Sequence, residues 1–213
     1  PAAAVGAHYV DLGGLYHMTL RQLRRDAEFR RRGLLAVLGC GSTPGITNMM
    51  VERLAERFDS ISTVGIYDAG HDPSSEGEGF LPPFSIRTML DEYEMPAPVL
   101  ERGRIVEVPA HGRAEALEFK APIGRCSAGA VIHSEAATLP GYLKDKGVKD
   151  LAFKIVSWSF ERPMDGFGSG SWNYYVYIPE RLCPVFASLW IADEVKKWSP
   201  SSPGRVTHDY YAS

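Results

Sequence analysis

Cysteine is scarce in this sequence, and the patterns that announce metal or nucleophile chemistry are missing. Of 213 residues only three are cysteine. Cys40, Cys126 and Cys183 form no CxxC pair and leave at least one thiol unpaired, which favours a reducing cytoplasm over a disulfide framework. There is no GxxxxGK[ST] phosphate loop, no HExxH, no GxSxG elbow and no clustered Cys/His set, so no metal site is expected. Redox chemistry, if present, would have to come from an organic cofactor. No apolar run approaches the roughly 18 residues of a membrane span, and no charged segment leads into an apolar export signal. The expectation is a cytoplasmic protein with no membrane partner. A net charge of −3 offers no basic surface, so no nucleic acid partner is expected either. Hydrophobic residues at 45% and charged residues at 23% are ordinary for a globular chain, long enough for one large domain or two small ones.

The first third alternates strand and helix signals. His8–Leu12 reads as a short strand stopped by Gly13-Gly14. Thr19–Arg32 reads as an amphipathic helix, its arginines a solvated face and Gly33 its C-cap. Leu34–Leu38 is the next strand, Ile46–Phe58 the next helix and Ile61–Tyr67 a third strand. Strand, helix, strand, helix, strand is the pattern of parallel crossovers. From Asp68 the texture changes. A glycine- and serine-rich loop at residues 70–79 leads to a short helix near Phe84–Tyr93, and Met95-Pro-Ala-Pro98 punctuates again. Short strands follow at Arg104–Val108, Ala116–Lys120, Ala128–His133 and Leu151–Val156, with a turn or helical piece at Ala136–Leu143. Strands without long crossover helices point to an antiparallel α+β region. Beyond Ser157 lie all four tryptophans, five of the ten tyrosines and a Ser/Pro cluster at 199–203. Only Leu182–Trp198 has a helical pattern there, interrupted at Pro184.

Gly39-Cys-Gly-Ser-Thr-Pro-Gly45 is the glycine-rich turn between a strand and a helix. Such turns let backbone N–H groups approach an anion at the carboxyl end of a sheet. Three readings stay open. It is a dinucleotide fingerprint with Asp68 as the ribose acid, a later cofactor-facing loop of a parallel sheet, or a mere turn; Pro44 argues against the first. Asp11 ends its strand beside Gly13-Gly14 and either faces the ligand crevice or caps the following turn. His133 and Glu135 share one face of a predicted strand, where imidazole and carboxylate either tune each other and move a proton or form a casual ion pair on an exposed strand face. Arg87 and Arg125 are candidate clamps for a carboxylate, or plain surface arginines.

At these residues the chain resembles the saccharopine dehydrogenase family, with the nearer likeness to its lysine 6-dehydrogenase-like branch. His8-Tyr-Val-Asp-Leu-Gly-Gly-Leu15, Gly39–Asn48, Phe84–Leu90, Gly103-Arg104, Val108-Pro109 and His133-Ser-Glu-Ala-Ala-Thr-Leu-Pro140 carry it, over roughly residues 5–156. The resemblance implies an oxidoreductase using NAD or NADP on the C–N bond of an amino-acid substrate, and a homodimer. The implied fold class is α/β, the C-terminal part of a Rossmann-like parallel sheet joined to a mixed α+β substrate and dimerisation domain. Residues 1–67 would be the partial Rossmann-like domain without its phosphate-binding front, 68–156 the α+β domain, and 157–213 an atypical aromatic tail. Asp11, His133 and Glu135 are then the expected catalytic residues. Gly13, Gly39, Gly41, Ser42, Pro44 and Gly45 would border the cofactor, and Arg87 and Arg125 would hold the substrate. The start at Pro1-Ala-Ala-Ala fits a fragment as well as a processed terminus. The alternative expectation is a truncated, catalytically incompetent chain acting only as a dimerisation or binding module.

Overall fold

The computed structural model describes residues 1–71, 85–119, 123–156, 171–177 and 187–188. Two sheets and five α-helices make up the described chain, a mixed α/β architecture. The first sheet has only two strands. β1 (Tyr9–Val10) pairs parallel with β2 (Ala36–Val37), and α1 (Tyr16–Leu23) and α2 (Asp26–Arg31) cross between them. The single helix expected over Thr19–Arg32 is thus broken at Arg24-Arg25; Arg25 accepts from Glu28 and Phe29 N–H to open the second piece. Gly33, at φ +64°, turns the chain back as expected of a cap.

α3 (Ile46–Ala55) leaves the glycine turn, with Asn48 Oδ1 accepting from the Gly45 N–H at 3.1 Å. β3 (Thr63–His71) follows, but it does not rejoin β1 and β2. It pairs in parallel with β8 (Asp150–Val156) and antiparallel with β9 (Ser171–Tyr177), beyond which lies β10 (Ala187–Ser188). The parallel run expected through the first third therefore divides between two sheets, and the Asp68 of the fingerprint reading lies inside β3 rather than beside β2. After α4 (Ile86–Glu94), capped by Ser85, Pro96 stops the helix. β4 (Ala97–Glu101), β5 (Arg104–Val108), β6 (Gly112–Glu118) and β7 (Arg125–Ala130) then form antiparallel hairpins. The segment Met95–Pro98, expected only to punctuate, contains the start of the buried strand β4.

β8 is the hinge of the large sheet. One edge carries β3; the other meets β4 at Leu151 and β7 from Lys154 to Val156, so the sheet splits and curls. Alternation along β3 and β8 makes two faces. Val64, Ile66, Leu151 and Phe153 pack under α3 and α5 (Glu135–Tyr142) with Met50, Val51, Leu54 and Leu139. Tyr67, Ala69 and Val156 pack on the other face with Phe119 and Ala128. No described helix is long and apolar enough to cross a membrane. The loop read over 70–79 begins inside β3, which runs to His71. Residues 72–84 and those beyond Val156 other than β9 and β10 lie outside the described residues, and the two described residues of the helix read over Leu182–Trp198 form strand β10 instead.

Candidate functional site

The glycine turns form one wall of the site. Gly13 has φ +103°, and a Cβ there would enter the Pro44 ring; Gly45, at φ +131°, would collide with the Gly41 carbonyl oxygen. Side chains are excluded at both points by backbone geometry and by space. The Thr43–Pro44 peptide is cis, and the buried ring of Pro44 lies against Gly13 and Gly39.

Asp11 binds these turns together. Its Oδ1 accepts from the N–H of Gly39 at 2.7 Å and of Gly13 at 3.0 Å. Its Oδ2 accepts from the Tyr9 hydroxyl at 2.9 Å and from Gln22 Nε2. Burial works against its charge, but these four donors outweigh it and hold the carboxyl below its usual range. The side chain expected beside a ligand thus spends its acceptor capacity on the β1–β2 junction.

Opposite the turns, the end of β7 runs into α5 and delivers His133-Ser134-Glu135. The expected strand over Ala128–His133 ends at Ala130, and Glu135 opens the helix instead of sharing a strand face with His133. The two side chains still meet: His133 Nδ1 contacts Glu135 Oε2. Glu135 is fully buried, and its Oε1 accepts from Thr47 Oγ1 in the first turn of α3 at 2.7 Å. A helix N-terminus is a favourable place for a carboxylate, and Glu135 stands at that of α5. The imidazole stacks on Phe153 with ring centroids 3.9 Å apart. Burial alone would lower the His133 pKa; the adjacent Glu135, with Glu92 and Asp68, outweighs it and raises it. Ser134, between the pair, accepts from Thr19 Oγ1 at 2.9 Å and donates to the Gly14 carbonyl.

A cleft of about 500 Å³ separates these walls. Gly13, Gly14, Gly41, Ser42 and Thr43 line one side, His133, Phe153, Ile155 and Asp68 the other, and Ser85, Thr88 and Glu92 of α4 a third. Gly39, Pro44 and Gly45 border instead a neighbouring hollow of about 480 Å³ on the far side of the turn. Neither Arg87 nor Arg125 is among the lining residues. Arg87 pairs with Asp91 at 3.0 Å with its side chain 84% exposed, and Arg125 is exposed at the start of β7. The structure therefore brings together Gly13, Gly41, Ser42, His133 and, behind the imidazole, Glu135. It leaves the two arginines outside.

Two acids that the sequence did not single out for the site's proton chemistry stand in the cleft. Burial pushes Asp68 up to about 7, with Glu92 and Glu135 adding to it and His133 opposing. Burial likewise raises Glu92 to about 7 against His133. The signal for Glu92 was present: Ser85, Thr88 and Glu92 stand three and four residues apart on one helical face. For Asp68 it was the acid in phase with Val64 and Ile66 along a strand.

No family profile matches the chain. Over 150 residues, 70% of this chain and 32% of the relative, it is 27% identical to the carboxynorspermidine synthase of Vibrio cholerae serotype O1. Among solved structures it is similar to apo saccharopine dehydrogenase (L-Glu forming) from Saccharomyces cerevisiae, with a TM-score of 0.52 and 15% identity over 78% of this chain and 37% of that one. The second likeness is one of fold. The chain spans about a third of the length of each of these proteins.

Proposed function

We propose that this chain forms the substrate side of an NAD(P)-dependent oxidoreductase that transfers hydride at the C–N bond of an amino acid. The observation that carries the reading is the cleft in which two glycine turns face a buried imidazole–carboxylate pair. Similarity to a dehydrogenase fold and to a synthase sequence supports it.

The residues present suit a nicotinamide end. Backbone at Gly13, Gly41 and Ser42 forms a wall without bulky side chains, and Phe153 and Ile155 supply apolar surface across from it. Those three residues would hold the ring, and the nicotinamide, when bound, would supply or accept hydride. The chain's own part is proton handling and orientation. Glu135 engages His133 Nδ1, so Nε2 is the nitrogen that exchanges a proton with a substrate amine. Thr47 and Phe153 fix the carboxylate and the ring, which limits motion of the base. Asp11 serves as the latch of the turns. The homodimer belongs to the same proposal; the outer strand β5, with Ile105 40% exposed, is the feature that supports it.

Amide-resolved NMR titration of the chain with NADH and NADPH tests this reading. The expected result is shifts at Gly13, Gly14, Gly41 and Ser42. Unmoved amides at those four positions with either nucleotide would overturn it and leave the chain as a dimerisation or binding module.

A further inference from the structure

We propose that Asp68 and Glu92 form a seat for a protonated amine inside the cleft. The proposal deepens the reading above by assigning the groups that select a cationic substrate, and the two stand or fall on different measurements.

Asp68 pairs in register with Ile155 of β8, one step past the point where Ile66 is packed in the core. It is 5% exposed, lines the cleft, and its Oδ1 has no hydrogen-bond partner among the described residues. A buried carboxylate oxygen left unmatched carries a desolvation penalty that a ligand donor relieves. Glu92 reaches the same cleft from α4, also 5% exposed, beside the hydroxyls of Ser85 and Thr88.

Charge decides what fits. The ionisable groups around Asp68 are Glu92 from α4, His133 after β7 and Glu135 of α5. Lys154 of β8 lies on the opposite face of the sheet, where it binds Glu115. Among the described residues the imidazole of His133 is the one cationic group that acts on Asp68 and Glu92, and its Nδ1 is already engaged by Glu135, so three acids share a single ring. The described His, Cys, Asp and Glu side chains form no group of three able to hold a metal ion. An ammonium group has three N–H donors and a compact charge, matching two carboxylates and a hydroxyl. Leu12, Leu15, Phe153 and Ile155 line the rest of the cleft and would take the carbon chain that bears it. Because burial holds both acids near neutrality, the seat accepts its cation as pH rises through about 7.

The test is NMR titration of the full chain with n-pentylamine and, as its uncharged counterpart, 1-pentanol. The amine is expected to shift the amides of Asp68, Ala69 and Glu92, the alcohol to leave them. Affinity should rise on the order of tenfold from about pH 6 to about pH 8, since the acids ionise there while the amine stays charged. Asp68→Asn should weaken amine binding about tenfold at the higher pH and leave only the part of the pH dependence that Glu92 supplies. Glu92→Gln should weaken it too, and the wild-type charge and pH contrast requires no variant at all. Equal binding of amine and alcohol, no binding of the amine, or unchanged binding in a folded Asp68→Asn protein would overturn the proposal. Nicotinamide nucleotides report separately at Gly13, Gly41 and Ser42. Loss of that signal with retained amine binding sinks the oxidoreductase reading and not the seat, and the reverse pattern does the opposite.

Discussion

The two faces of β3 and β8 each carry buried polar groups, and they treat them differently. On one face Lys154 donates to Glu115 Oε1 and Tyr67 donates to the same oxygen at 2.7 Å. Burial works against the Glu115 charge, yet Lys154 and Tyr67 outweigh it and the carboxyl stays below its usual range. On the other face, one residue along the strand from Tyr67, Asp68 has no hydrogen-bonded cation among the described residues, and burial raises it to about 7 against the opposing charge of His133. A matched acid is a structural part. An acid kept buried and unmatched destabilises the free protein, and such groups collect where ligands bind.

Breaking the His133–Glu135 pair should produce the largest effect. Glu135→Ala leaves His133 and Thr47 buried without their partner, and a loss of about 3–5 kcal/mol in chemical denaturation is expected. If the loss is below about 1 kcal/mol, the pair is not the anchor of this face.

The next largest effect is in the dependence of stability on pH. Asp68 and Glu92 hold protons in the folded chain up to about 7, well above where they release them when unfolded. The unfolded state therefore binds fewer protons over that interval, and stability falls as pH rises through it. His133 acts in the same sense, since its charged form is favoured by folding and lost at higher pH. Thermal unfolding should show a more stable chain near pH 5 than near pH 8, by an amount on the order of 3 kcal/mol. Asp68→Asn should flatten that profile, and a wild-type curve that rises over the interval would contradict the contrast between the faces.

Removing the cation of the closed face should matter least. Lys154→Met leaves Glu115 with 43% of its side chain exposed, so water can replace the lost partner. The expected loss is about 1–2 kcal/mol with no change in nucleotide or amine binding. A change in binding would show that the two faces are not independent.

What could be read from the sequence followed the range of each interaction. Gly39–Gly45 and His133-Ser-Glu135 are local patterns, and both sit at the cleft or beside it. The mixed α/β character was legible from alternating periodicities. Which sheet β3 joins was not, because its partner β8 lies some eighty residues away and nothing local in Ile61–Tyr67 names it. For the same reason Asp11 stayed open between facing a ligand and holding the glycine turn. Two of its four donors, Gly39 N–H and Gln22, come from residues outside its strand and turn. Arg87 looked like a clamp because guanidinium suits carboxylate, but the helical phase of α4 turns it toward Asp91 while Ser85, Thr88 and Glu92 take the cleft side.

Ser134 links the two walls of the cleft directly. Its hydroxyl holds the Gly14 carbonyl on one side and is held by Thr19, while its chain neighbours are the imidazole and the carboxylate of the other. The gap between the walls is thus held by this strut together with the Thr47–Glu135 hydrogen bond, which ties the first turn of α3 to the same segment. A ligand thicker than that gap would strain the Ser134–Gly14 link as it parts His133 from the Gly13-Gly14 turn, so residue 134 sets part of the thickness the cleft tolerates.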